Sequence, residues 1–143
     1  MTEAFLTRRL RFSAAHRYWR PDWSDARNRE VFGACSNPYG HGHGYRLEVT
    51  VRAAVDDSTG FSADLATLDA ILRDEVLVPL DHQHLNHAVP EFAEGRLIPT
   101  CENLLLWLRP RLERRLPGGV TLYRLRLYED DDLFVDIHGS GGP

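Results

Sequence analysis

Seven histidines, two cysteines and a run of carboxylates supply the reactive side chains of this 143-residue chain. The densest stretch is Cys35-Ser36-Asn37-Pro38-Tyr39-Gly40-His41-Gly42-His43-Gly44-Tyr45. One glycine separates His41 from His43, and in a strand such a pair points to one face, about 7 Å apart along the backbone. Two imidazoles so placed can close on one metal ion, with a thiol close by that need not be a ligand. His16 sits at the end of an alternating segment and has the parity of its inward side. A second cluster, His82, His84 and His87 beside Asp81, offers another three-histidine set. Either trio would leave an open coordination position on zinc, as in catalytic rather than structural sites. Spacing alone does not choose between them. Cys35 reads equally as a fourth ligand, an activated thiol or an inert buried residue.

The elements that must position these residues follow from periodicity. Residues 4–16 alternate, with Leu6, Leu10, Phe12 and Ala14 on one side and Thr7, Arg9, Arg11 and Ser13 on the other, which predicts a half-buried strand. Arg8 is the exception on the apolar side. Ser24 or Asp25 starts a short helix that Gly33 ends. Residues 43–55 form the clearest strand, with Tyr45, Leu47, Val49 and Val51 on one face, and the paired histidines extend that face. Asp64 caps a helix carrying Leu65, Leu68, Leu72 and Val76, and Pro79 is expected to close it. Thr100 caps a second helix with Leu104, Leu108 and Leu112 on one face, which Pro110 is expected to kink or loosen. Val120–Glu129 and Leu133–His138 read as a hairpin across Asp130-Asp131-Asp132. The tail from Gly139 is expected to fray. The expectation is an α+β domain spanning 1–143, a four-stranded antiparallel sheet with two main helices on one face.

Composition narrows the classes. The formal net charge of −4 and the lack of a basic run argue against nucleic acid as the main partner. All seventeen positive side chains are arginine; a GC-rich coding bias accounts for this as well as any need to grip phosphate. No apolar run approaches membrane length, the first residues hold no signal-peptide core, and the two cysteines form no CxxC. The expected setting is soluble and cytoplasmic.

Five motifs in order resemble the 6-pyruvoyl-tetrahydropterin synthase family, which includes the 6-carboxytetrahydropterin synthases of queuosine biosynthesis. They are Phe12-Ser13-Ala14-Ala15-His16, the Phe32–Tyr45 stretch, Leu80-Asp81-His82-Gln83-His84-Leu85-Asn86, Pro99-Thr100-Cys101-Glu102-Asn103-Leu104 and Tyr128-Glu129. The resemblance implies a tunnelling fold oligomerising into a barrel, as a homohexamer built from two trimers. It implies Zn2+ on His16, His41 and His43, catalysis by Cys35, Asp81 and His82, and a pterin held by Glu129 with Glu102 as a second pocket carboxylate. Mg2+ would accompany the substrate triphosphate.

The chain departs from the family pattern at Cys101, where Ser or Thr is common, at Gly44 and at Asp130. Five residues separate Cys35 from His41, and Asn37-Pro38-Tyr39-Gly40 precedes the histidine, as in the pyruvoyl-forming members. The resemblance therefore implies a lyase that eliminates triphosphate from 7,8-dihydroneopterin triphosphate. The 6-carboxy product, or side-chain cleavage in a folate-like route, is the alternative.

Overall fold

A computed structural model describes residues 2–143. Its frame is a pair of long strands, β1 (Glu3–His16) and β2 (His41–Ala54), antiparallel from Glu3 opposite Ala54 to His16 opposite His41. β1 therefore delivers its last residue to the first residue of β2. α1 (Asp25–Phe32) lies in the connection, with Ser24 Oγ accepting from Arg27 N and Gly33 at φ 56° ending it. Only glycine takes that backbone conformation without strain.

The second half of the chain completes the sheet. Asp64 caps α2 (Leu65–Leu72), accepting from Thr67 N and Oγ1. The helical path does not close before Pro79. It widens into a π turn over Arg73–Leu77 and continues as α3 (Val78–Leu80). The wide turn accommodates a proline that lacks an N–H and whose ring would crowd the preceding turn of a regular helix. A two-residue strand, β3 (Gln83–His84), and a single turn, α4 (Leu85–Ala88), follow. α5 (Cys101–Glu113) starts at Thr100, whose Oγ1 accepts from Asn103 N, and continues through Pro110 to Glu113. β4 (Thr121–Asp130) and β5 (Leu133–His138) form the hairpin expected from the sequence. The tail is not frayed: Gly139 N donates to Tyr123 O and Gly141 N to Leu122 O, which ties it back to β4.

The sheet order is β3-β1-β2-β4-β5. It has five strands rather than four, and it is mixed, because β3 runs parallel to β1 through Ala14–Gln83 and Ala15–His84. A strand of two residues has no room to show alternation, so periodicity could not reveal it.

One face of the sheet carries Leu47, Val49, Val51, Leu122, Leu125 and Leu127, all buried against Leu68, Leu72 and Val76 and against Leu104, Leu105, Leu108 and Leu112 of α5. Fully burying each such side chain stabilises the fold by about 1.5–3 kcal/mol. The other face is polar. Thr7 and Thr50 share a hydroxyl hydrogen bond, Arg9 pairs with buried Glu48, and the Arg126 guanidinium meets Asp136 bidentately. The site lies where the apolar face ends.

Candidate metal centre and pocket

His16, His41 and His43 occupy the same face as Tyr45 and Leu47, one step beyond the apolar core. Parity puts His41 and His43 there, and register puts His16 opposite His41. One ligand atom from each lies within 4.8 Å of the other two. Among the described residues no other group of three His, Cys, Asp or Glu side chains converges in this way. His84 and His87 instead stack on each other, with centroids 4.2 Å apart and planes at 15°. They line a cavity with Arg17, Trp19 and Tyr39. The cluster of His82, His84 and His87 that spacing left open does not form a site.

The donor set suits a metal. His16 is fully buried, and its Nδ1 lies 2.7 Å from Tyr45 Oη. With the ring proton on Nδ1 donated to the tyrosine oxygen, the Nε2 lone pair faces the other two histidines. Burial, then neighbouring His43, His41 and His84, lowers the His16 pKa to about 3, so the ring stays neutral as a ligand must. His43 Nε2 is buried without a hydrogen-bond partner. Tetrahedral zinc needs its nitrogen ligands roughly 3.4 Å apart, a modest inward turn from this spacing. The three imidazoles fit such an ion and leave it an open position.

Cys35 borders the trio. Its Sγ lies 3.2 Å from His41 Nε2 and 4.0 Å from His16 Nε2, and its carbonyl accepts from Tyr18 N at 2.7 Å. Gly40 sets up the approach. At φ 70° it brings the chain against the His16 carbonyl, and a Cβ there would collide with it. Burial, then the Glu129 carboxylate, raises the Cys35 pKa, so without a nearby cation the group rests as a thiol.

Glu129 closes the other side, on the core-facing parity of β4. Its Oε1 lies 2.9 Å from His43 Nε2, close enough for an ion pair but not aligned as a hydrogen bond. Its Oε2 accepts from Cys101 Sγ at 3.7 Å. Glu102, one residue on, is exposed in the first turn of α5, where the helix dipole favours an acid.

Asp81 and His82 stand elsewhere. Asp81 Oδ1 accepts from Ser13 N, and His82 N donates to Ser13 O, so this turn is clamped to β1. His82 adopts φ 58° and its side chain is 82% exposed. Both residues border a cavity of about 460 Å³ with Arg11, Ser13, Arg46, Tyr128 and Asp130, on the polar side of the sheet. Among the described residues neither forms a hydrogen bond or ion pair with Cys35.

Two site residues carry no sequence signal of their own. The Tyr18 ring packs 4.4 Å from His16, and its phenol pKa is raised by burial and then by Glu129 and Cys35. Tyr45 reads from periodicity as a core residue; its hydroxyl on His16 becomes visible only with the register.

The fold and site define a small α+β protein that gathers three imidazoles, a thiol and a carboxylate at one end of its sheet. The model of the family "6-pyruvoyl tetrahydropterin synthase" matches residues 5–140. A 6-pyruvoyl tetrahydrobiopterin synthase of Pongo abelii is 41% identical over 138 residues, covering 96% of this chain and 93% of that protein. The Homo sapiens protein of the same name is 39% identical over 138 residues, with the same two coverages. The solved structure of Caenorhabditis elegans 6-pyruvoyl tetrahydropterin synthase superposes with a TM-score of 0.87 at 33% identity, covering 98% of each chain. This chain belongs to the 6-pyruvoyl tetrahydropterin synthase family.

Proposed function

We propose that the chain is a lyase that eliminates triphosphate from 7,8-dihydroneopterin triphosphate to give 6-pyruvoyl-tetrahydropterin. The observation that carries this reading is the thiol 3.2 Å from one imidazole of a three-histidine set whose third member lies 2.9 Å from a carboxylate. Glu129 accepts the adjacent amino and ring N–H groups of the pterin as a pair, since two parallel charge-assisted hydrogen bonds give both energy and orientation. Glu102, exposed in the first turn of α5, is the second pterin-binding carboxylate in this reading. Zinc bound to His16, His41 and His43 supplies Lewis acidity to the side-chain hydroxyls and a positive charge that favours the Cys35 thiolate. Cys35 removes a proton from a side-chain carbon that bears such a hydroxyl, the carbon–oxygen bond to triphosphate breaks and its electron pair leaves with the phosphate. Two further side-chain hydrogens shift to the ring C=N, so the two carbinols become ketones as the dihydropterin ring is reduced and no outside oxidant or reductant is needed. Mg2+ belongs with the triphosphate.

Asp81 and His82 complete the proton relay in this reading, with Asp81 orienting the imidazole. Because they face the polar side of the sheet, they act on the site of a neighbouring copy. That fits an assembly that rolls its sheets into a barrel, the homohexamer of two trimers. Both cysteines are free thiols, consistent with a reducing, cytoplasmic setting. No helix among the described residues is long and apolar enough to cross a membrane.

Mass spectrometry of the product from dihydroneopterin triphosphate, Zn2+ and Mg2+ tests the reading, because pyruvoyl, carboxy and hydroxymethyl pterins differ in mass. A carboxy or hydroxymethyl product would replace it with the queuosine-type or folate-like alternative. Cys35→Ala should keep zinc and lose about 10²-fold or more in turnover; full activity there removes the thiol from the chemistry.

A further inference from the structure

Glu129 sits on β4 with its carboxylate between the metal centre and the start of α5, and its side chain is 15% exposed. Its contact with His43 lacks hydrogen-bond alignment. Among the described residues, the one hydrogen bond it receives comes from Cys101 Sγ, at 3.7 Å to Oε2. Cys101 is 3% exposed and is the first residue of α5, so its backbone is fixed by the Thr100 cap and by the helix behind it. A glutamate side chain left to itself spreads over several rotamers, and ordering it has an entropic cost. A buried donor on a rigid helix terminus lifts part of that cost before any ligand arrives.

We infer that Cys101 is a positioning residue, whose thiol holds the Glu129 carboxylate in the orientation that receives the paired N–H groups of a pterin. The inference rests on the reading of Glu129 as the pterin anchor. Each carboxylate oxygen has two acceptor sites, so a thiol on Oε2 leaves both oxygens able to accept from a ligand. The thiol must stay protonated to donate. Burial, then Glu129 and Glu102, pushes its pKa far above the ordinary value, so it does. The competing account is that Cys101 is only a small buried residue packing the end of the helix, as free cysteines usually are.

The two accounts separate in a binding experiment on the full-length, zinc-loaded protein. The probe is 7,8-dihydroneopterin, titrated by calorimetry against wild type, Cys101→Ala, Cys101→Ser and Glu129→Gln, with zinc content and melting temperature recorded for each. The expected result is an affinity loss of about 3- to 10-fold in Cys101→Ala, the worth of one modest hydrogen bond. Cys101→Ser, whose hydroxyl is a better donor, should return to within about twofold of wild type at unchanged zinc content. Wild-type affinity in Cys101→Ala overturns the inference, as does a Cys101→Ser protein as weak as the alanine variant. If the alanine variant does not fold, the serine variant decides: wild-type affinity supports the inference and a loss beyond threefold overturns it. Glu129→Gln is the separate check on the underlying reading. It should lose about 30-fold or more, and undiminished binding there removes the pterin anchor itself.

Discussion

Replacing Tyr45 by phenylalanine isolates the support behind His16, one of the three candidate metal ligands. The hydroxyl lies 2.7 Å from His16 Nδ1; Tyr45 is 1% exposed and His16 is 0% exposed, so no water replaces the lost partner. Leaving a buried polar atom unpaired costs about 1–3 kcal/mol. For a protein of this size that lowers the melting temperature of the metal-free form by about 3–8 °C. The aromatic packing survives, since the Phe12 ring stacks at 4.9 Å on the ring that remains. The imidazole also loses the bond that fixes its tautomer and tilt. Metal affinity should therefore fall about 10- to 100-fold, the usual cost of removing such a partner. Competition for zinc against a chromogenic chelator measures this directly. Zinc affinity within twofold of wild type would refute the argument that Tyr45 orients His16.

Three further outcomes test the frame around the site. Gly40→Ala should abolish the normal approach of the chain to His16, because φ 70° and the His16 carbonyl both oppose a Cβ; a wild-type melting curve with full zinc content would contradict that. Leu104→Ala, at a fully buried position of α5, should lose about 2–5 kcal/mol in urea unfolding, and a loss under 1 kcal/mol would mean the helix packs less tightly than described. Hydrogen bonds from Ser58 and Thr59 hold the Asp56 pKa near about 2, below the 3.8 of an ordinary aspartate. Because the folded value is the lower one, its contribution to stability is present above pH 3.8 and is lost as pH falls toward 2. A carboxyl titration by NMR with a midpoint at or above 3.8 would refute the turn geometry.

How much of this was legible before the structure depended on the kind of regularity involved. Alternation along residues 4–16 and 43–55 gave two strands and put His16, His41 and His43 on inward faces, because a side chain's face follows from its parity. Convergence needed one more quantity, the register that sets His16 opposite His41. Periodicity is blind to register, so the second histidine cluster stayed open until the resemblance and the fold closed it. β3 was invisible at two residues. Pro79 reads as a helix end because local propensity says so; a π turn carries the helical path past it. Motif order alone sets Asp81 and His82 beside Cys35. Motif order along the chain does not say which side of a sheet a turn faces, and here the clamp on Ser13 sends them to the polar side. Tyr45 looked like packing because its ring is packing; only its last atom is not.

The order of the sheet also separates two parts of the site in folding terms. The three clustered histidines sit at the joined ends of β1 and β2, neighbours along the chain, and their trio is complete once that one loop has closed. The carboxylate belongs to β4, which reaches β2 only after both principal helices have been threaded between. Loop-closure entropy grows slowly with length, so the longer closure costs only about 1 kcal/mol more. Contact order, however, bears mainly on rate. Chain topology thus favours assembling the three-histidine end first and fitting the Glu129 wall onto it afterwards.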